Sequence, residues 1–250
     1  MSKLKNKVAV ITGASKGIGA GIAKAYGAEG ASVVVNYSSD KEGAERVVNE
    51  ITANGGKAIA IHASVAVADD VKRLFKEAKD AYGKIDILVN NAGVFNFEPI
   101  ETISEEEFHR QFNINVLGTI LATQQAVLNF NDADGGSIIN VSSIISDNPM
   151  AQSLVYSATK GAVDTIAVAL SKELGSRNIR VNTLAPGGVS TEGSRTAGII
   201  GSDFEKNMVE QTPLGRIGQP DDIAKVAVFL ASDDSTWVNG EKIRVSGGMR

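Results

Sequence analysis

Short apolar runs, separated by longer stretches of helical periodicity, constrain the fold of this chain more than any other feature. Seven runs read as strands, near residues 7–12, 32–37, 58–63, 85–90, 137–143, 180–184 and 242–245. Between them apolar side chains recur at helical spacing, as in Ile18, Ile22 and Tyr26, or Val71, Leu74, Phe75 and Ala78. Strand-length apolar runs alternating with amphipathic helices are the pattern of a parallel sheet covered on both faces, so an α/β fold is expected. The 250 residues suffice for one domain over 1–250 with a substantial core. One long stretch, 187–220, has weak periodicity apart from a helical piece near 204–211. Such a loop is expected to act as a substrate loop or lid.

Composition narrows the chemistry. With 25 Lys and Arg against 29 Asp and Glu, the chain lacks the basic footprint of a nucleic-acid or anionic-membrane partner. The absence of cysteine excludes disulfides, thiolate nucleophiles and Cys-ligated metals. The two histidines, His62 and His109, are far apart, fit no HExxH spacing and are assigned to structure or solvent. No metal site is expected. The run from Val8 to Ile11 is too short for a signal-peptide core or a membrane span, so a cytoplasmic location is expected.

The segment TGASKGIG, Thr12 to Gly19, follows the first strand and opens the first helix. There a nucleotide phosphate can sit on free backbone N–H groups at a positive helix end, with Gly13, Gly17 and Gly19 allowing the turn and the close approach. A merely tight strand-to-helix turn would use the same glycines; the position after the first strand favours the phosphate. Tyr156 and Lys160 are four apart on an expected helix and share a face. Tyr37 and Lys41 repeat the spacing, but only Tyr156 lies just beyond Ser142 and Ser143 at the carboxyl end of a central strand, where open α/β sheets bind ligands. An ammonium beside a phenol favours the phenolate, so Tyr156 could exchange a proton and Ser143 could hold a substrate oxygen.

Together, TGASKGIG at 12–19, NNAG at 90–93, Asn115 in NVLG, the Ser143, Tyr156 and Lys160 set and PGGVST at 186–191 resemble the short-chain dehydrogenase/reductase family, in order and over essentially the whole chain. The resemblance implies a doubly wound Rossmann-like sheet, a homotetramer and a nicotinamide cofactor. It implies that Ser143 orients a carbonyl, Tyr156 exchanges the proton, Lys160 binds the nicotinamide ribose and Asn115 holds a relay water. It further implies a cofactor site built from Gly13, Ser15, Lys16, Gly17, Ile18 and Gly19 in the turn, and from Tyr37, Ser38 and Ser39 at the end of the second strand. Ser64 and Val65 after the third strand, Asn91, Ala92 and Gly93 in NNAG, Tyr156, Lys160, and Pro186, Gly187, Val189 and Thr191 complete it. Two departures stand out: Ser64 replaces a frequent Asp, and VSGG at 245–248 replaces VDGG.

The reaction expected is hydride transfer between NADP(H) and a small carbonyl or alcohol. Tyr37 stands where NAD-preferring members have Asp, and Lys16 with Ser38 and Ser39 could meet a 2′-phosphate; NAD(H) remains open as a second cofactor. Short length and a GxxxGxG turn disfavour an epimerase, the Tyr–Lys spacing disfavours an enoyl reductase, and the intact pair disfavours a non-enzymatic cofactor sensor. Three substrate classes compete: small or aryl ketones, sugars such as glucose, and 3-oxoacyl groups on a carrier protein. Between Arg110 and Lys160 there is no Lys or Arg, and Asp132 and Asp134 follow a long helix, which would repel an acidic carrier. An apolar rim of Val94, Phe95, Phe97, Ile144, Ile145 and Met150 favours a hydrophobic ketone over a polyol. Apolar residues Val116, Leu117, Leu121, Ala122, Val163, Ile166, Ala167 and Leu170 are expected to pack on a second subunit.

Overall fold

A computed structural model describes residues 2–131 and 133–250; Asp132, half of the acidic pair noted above, lies outside the described residues. Seven strands, β1 (Val8–Ile11), β2 (Ser32–Tyr37), β3 (Lys57–His62), β4 (Ile87–Asn90), β5 (Gly136–Val141), β6 (Ile179–Pro186) and β7 (Lys242–Val245), form one parallel sheet ordered β3-β2-β1-β4-β5-β6-β7. The chain winds outward from β1 to β3, then returns to the other side of β1. This is the doubly wound Rossmann-like arrangement, and the reversal leaves a crevice beyond the carboxyl ends of β1 and β4.

Each strand divides its residues between two cores because successive side chains point to opposite faces. Ala9, Ile11, Val33, Val35, Val89 and Ile139 face helices α1 (Gly17–Ala28), α2 (Lys41–Ala53) and α9 (Pro220–Ala231). Val10, Val34, Leu88, Ile138 and Val181 face α3 (Ala68–Tyr82), α5 (Gly118–Asn129) and α6 (Leu154–Leu174). α1 and α9 pack closely: a Cβ on Gly21 would lie 2.8 Å from Pro220, and the Tyr26 hydroxyl donates to the Ala227 carbonyl at 3.0 Å. α3 ends at Gly83, whose φ of +79° is open to glycine at no steric cost.

The expected strands are all present, and their ends shift for identifiable reasons. β4 starts at Ile87 rather than residue 85, because the Asp86 side chain instead accepts the Val8 N–H at 2.7 Å. β5 stops at Val141, before Ser142 and Ser143, and Ser143 caps a short 3-10 turn, Ile144–Ser146. The 187–220 stretch holds two helices, α7 (Glu192–Thr196) and α8 (Asp203–Glu210). Only α8 coincides with the helical piece expected; α7 is started by a Thr191–Ser194 capping box that apolar periodicity does not register. Of the residues expected on a subunit contact, Ala122, Val163 and Ala167 are instead buried within the chain, because α5 and α6 turn those positions toward the sheet and its covering helices. α4 (Glu105–Phe112) runs into α5 through a π-helical turn, Asn113–Leu117. Among the described residues no helix is long and apolar enough to cross a membrane.

Candidate active site

Ser143 leaves the carboxyl end of β5, and Tyr156 and Lys160 stand on the first turns of α6, so the crevice brings together groups that come from separate elements. A cavity of about 280 Å³ there is lined by Ser143, Tyr156 and Lys160 together with Ile18, Asn91, Gly93, Pro186, Gly187, Val189 and Thr191. Its other wall, which includes the uncharged Asn148, Ser194 and Gln211, is mainly apolar: Val94, Phe95, Phe97, Ile144, Ile145 and Met150, as expected, and also Ile199, Phe204, Met208 and Met249. The latter four escape sequence reading because they reach the site from the 187–220 stretch and from the chain end. Phe95 and Phe97 pack on the Tyr156 ring, with centroids 5.8 and 6.1 Å away.

The electrostatics differ from expectation in one respect. Lys160 Nζ donates to the Val141 carbonyl at 2.9 Å and lies 5.6 Å from the Tyr156 ring centroid. Burial pushes the Tyr156 phenol up to about 12, and it is a hydrogen bond with Ser143, not the ammonium, that works in the other direction. Burial likewise brings Lys160 down to about 8, opposed by the charge of Asp164 one helical turn away. A site with a protonated phenol and a readily neutralised lysine can deliver a proton to a substrate oxygen.

Asn115 lies in the π-helical turn, fully buried, and does not line the cavity. Its amide oxygen accepts from the Val94 N–H at 2.8 Å, and its amide nitrogen donates to the Val94 carbonyl at 2.8 Å and to Thr159 Oγ1 at 3.0 Å. The side chain is thus committed to fastening the Phe95 segment to α6.

The remaining expected residues lie outside the cavity, over the carboxyl ends of β1, β2 and β3, with Ala92 just past β4. Gly13 and Gly17 have φ of +62° and +59°, and a Cβ on Gly13 would lie 2.8 Å from Ala92. A Cβ on Gly19 would strike Asn91 Nδ2, the amide that donates to the Thr12 and Gly13 carbonyls and ties β4 to the turn. Ser15 and Lys16 stand in that turn; Lys16 is exposed and has no ion-pair partner among the described residues. Tyr37 ends β2 and Ser38 and Ser39 follow it, and His62 accompanies them: its ring is 5.5 Å from that of Tyr37, and its Nε2 is 2.9 Å from the Ser38 carbonyl. The Ser64 N–H donates to Asp70 at 2.8 Å, and Val65 packs against Gly118. Asn36 was missed: buried in β2, it accepts from the Gly13 N–H at 3.2 Å and donates to the Ala63 carbonyl at 3.0 Å. Its signal is a lone amide directly after three successive valines in the strand.

The turn also shows what it can hold. Lys16 caps α1 without a side-chain bond, and the Gly17 N–H donates to the carboxylate of Glu192 at 2.9 Å. An anionic oxygen is therefore accommodated at this helix end, which fits the phosphates of a dinucleotide.

A family model described as Enoyl-(Acyl carrier protein) reductase matches residues 13–250. The chain is 57% identical to an uncharacterized oxidoreductase of Methylorubrum extorquens, each covered in full. A short-chain dehydrogenase/reductase from Serratia marcescens superposes with a TM-score of 0.92 at 33% identity, covering 99% of both chains. The chain belongs to the short-chain dehydrogenase/reductase family. An angucycline C-6 ketoreductase solved with bound NADP gives a TM-score of 0.93 at 37% identity, covering 99% of this chain and 97% of its own. The protein is accordingly an oxidoreductase of the NAD(P)-dependent short-chain type, acting on a small molecule.

Proposed function

We propose that this chain is an NADP(H)-dependent ketoreductase that reduces a small hydrophobic ketone, with Ser143, Tyr156 and Lys160 as its reacting set. The observation that carries this reading is a cavity in which those three side chains face a mainly apolar wall with no charged group other than Lys160 among the described residues. Such a wall suits an uncharged, aromatic or aliphatic ketone better than a sugar or a carrier-bound acyl chain. The nicotinamide cofactor, when bound, supplies or accepts the hydride. Ser143 holds the substrate oxygen, Tyr156 hands its phenolic proton to that oxygen as negative charge develops, and Lys160 as an ammonium stabilises the phenolate left behind. Lys160 would also meet the ribose. Asn115 serves the proton path by fixing Val94 and Thr159. The glycine turn with Ser15 and Ile18 receives the pyrophosphate. Ser64, Val65 and Asn91 to Gly93 flank the adenosine half, and Pro186, Gly187, Val189 and Thr191 the nicotinamide half. The 187–220 segment works as a lid within one domain.

Preference for NADP(H) is supported by Tyr37 in place of a carboxylate, by the exposed Lys16, which has no ion-pair partner among the described residues, and by the NADP carried by the angucycline ketoreductase. The reading extends to a cytoplasmic homotetramer.

A substrate panel with NADPH and NADH decides among the alternatives: aryl and alkyl ketones, glucose, a 3-oxoacyl carrier thioester and an enoyl thioester. Ketone reduction with a kcat/KM for NADPH at least about tenfold above that for NADH is expected, a difference of about 1.4 kcal/mol. Tyr37→Asp should move the preference toward NADH. Preference for NADH in the unaltered enzyme, or turnover of glucose or thioesters alone, would overturn the proposal.

A further inference from the structure

Ser143 and the Tyr156–Lys160 pair stand on different segments, so their alignment depends on whatever ties those segments together. Three elements converge on one ammonium beneath the site. Lys242, on β7 at the sheet edge, donates to Ser146 Oγ at 2.6 Å in the turn that follows Ser143, and to Asp164 Oδ2 at 2.6 Å on α6. Its ion pair with Asp147 Oδ1 is 2.7 Å long. Two of the ammonium's three donors are thus taken by Ser146 and Asp164, and its charge also pairs with Asp147.

Burial sets this cluster apart from ordinary surface pairs. The side chains of Lys242 and Asp164 are 20% and 19% exposed, so truncating either leaves a charge largely shielded from water. The second oxygen of Asp164 is buried without a hydrogen-bond partner among the described residues, which leaves Lys242 as the partner of that carboxylate there. Arg244 pairs with the other oxygen of Asp147 at 2.7 Å, and Lys242 followed by Arg244 holds the Asp147 carboxyl below the usual carboxylate range.

We infer that Lys242 is a positioning residue for the proposed reaction, clamping the turn after Ser143 to the helix that carries Tyr156 and Lys160. The inference rests on the reading of those three residues as the reacting set. Lys242 does not line the cavity and acts through Ser146, Asp147 and Asp164. Through Asp164 it also has an electrical effect. Lys160 faces Tyr156 and Asp164 on its own helix and the Val141 carbonyl on β5, and the Asp164 charge is the influence that opposes its loss of a proton. Lys242 partly neutralises that charge. Removing Lys242 exposes Lys160 to the full carboxylate and should move the loss of the Lys160 proton to higher pH; removing the carboxylate should move it to lower pH.

The test compares Lys242→Met, Lys242→Arg and Asp164→Asn, using NADPH and ethyl benzoylformate as the ketone. Lys242→Met is expected to lower kcat by about ten- to a hundredfold, as a misaligned reacting set does. NADPH affinity, read from cofactor fluorescence, should change by less than about twofold, because no cofactor contact is lost. Lys242→Arg should recover most of the rate. The basic limb of the kcat profile should move up in Lys242→Met and down in Asp164→Asn, which loss of general stability would not produce. Amide exchange across residues 143–150 should quicken in Lys242→Met while β1 to β4 remain as before. Wild-type kcat in Lys242→Met, equal losses of kcat and NADPH affinity, or a basic limb that moves in neither variant would overturn the inference. So would unchanged exchange across 143–150, a measurement that needs no turnover. Failure of the unaltered enzyme to reduce any ketone counts against the proposed function alone.

Discussion

Lys160 shows at the scale of one residue how a working site is held at a cost in stability. Its folded value of about 8 lies below the ordinary 10.5 of lysine, so between those limits the unfolded chain binds more protons than the folded one. Stability contributed by this group therefore rises as pH increases through that window, and the burden is greatest at neutral pH and below. Lys160→Met should remove most turnover and yet raise resistance to urea by about 2 kcal/mol at pH 7, somewhat less than the shift alone implies because the bond to Val141 is lost. The gain should shrink toward pH 10. A variant less stable than the parent at pH 7 would show that the ammonium is better satisfied than its surroundings indicate.

Among the elements, the glycine turn and α7 are in direct contact, and the Glu192 carboxylate occupies the Gly17 donor. Any phosphate arriving at that donor must displace it and then tolerate its charge. Glu192→Gln should therefore bind NADPH several-fold more tightly, an effect of about 1 kcal/mol, and release it more slowly. Weaker binding in this variant would mean instead that α7 fastens the cofactor. The same pair illustrates what could be read in the chain beforehand. The glycines, Ser143, Tyr156 and Lys160 were legible because their spacing follows from local geometry, with strand, turn and helix succeeding one another. The seven strands were legible because burial on both faces leaves short, nearly continuous apolar runs. Glu192 on Gly17, Asn36 on Gly13 and Lys242 on Asp164 were not, since each joins residues far apart in sequence and no periodicity relates them. Strand ends were misjudged where a side chain, such as Asp86, replaced a ladder bond.

For the molecule as a whole, the outer faces of α5 and α6 remain the strongest indication of assembly. Leu128 is 74% exposed, and with Ile120, Val127, Ile166 and Leu170 it lines an apolar groove between the two helices. A patch of this kind calls for a covering surface. Sedimentation at micromolar concentration should give a species well above the 26.1 kDa of one chain, and Ile120→Glu with Leu128→Glu should reduce it; a monomer in the unaltered protein would refute the tetramer. The strand order has a consequence of another kind, for the time course of folding. β1 lies between β2 and β4, with Ala9 beside Ile87, so a strand synthesised early waits for one of its two neighbours until β2, β3 and three helices have been made. Pairing across such a separation closes a large loop, and a half-sheet of β1 to β3 would meanwhile show an open apolar edge. A chain emerging from the ribosome is thus most prone to misassociate before residue 87, and chaperone binding to nascent chains should be strongest there and decline once β4 is available.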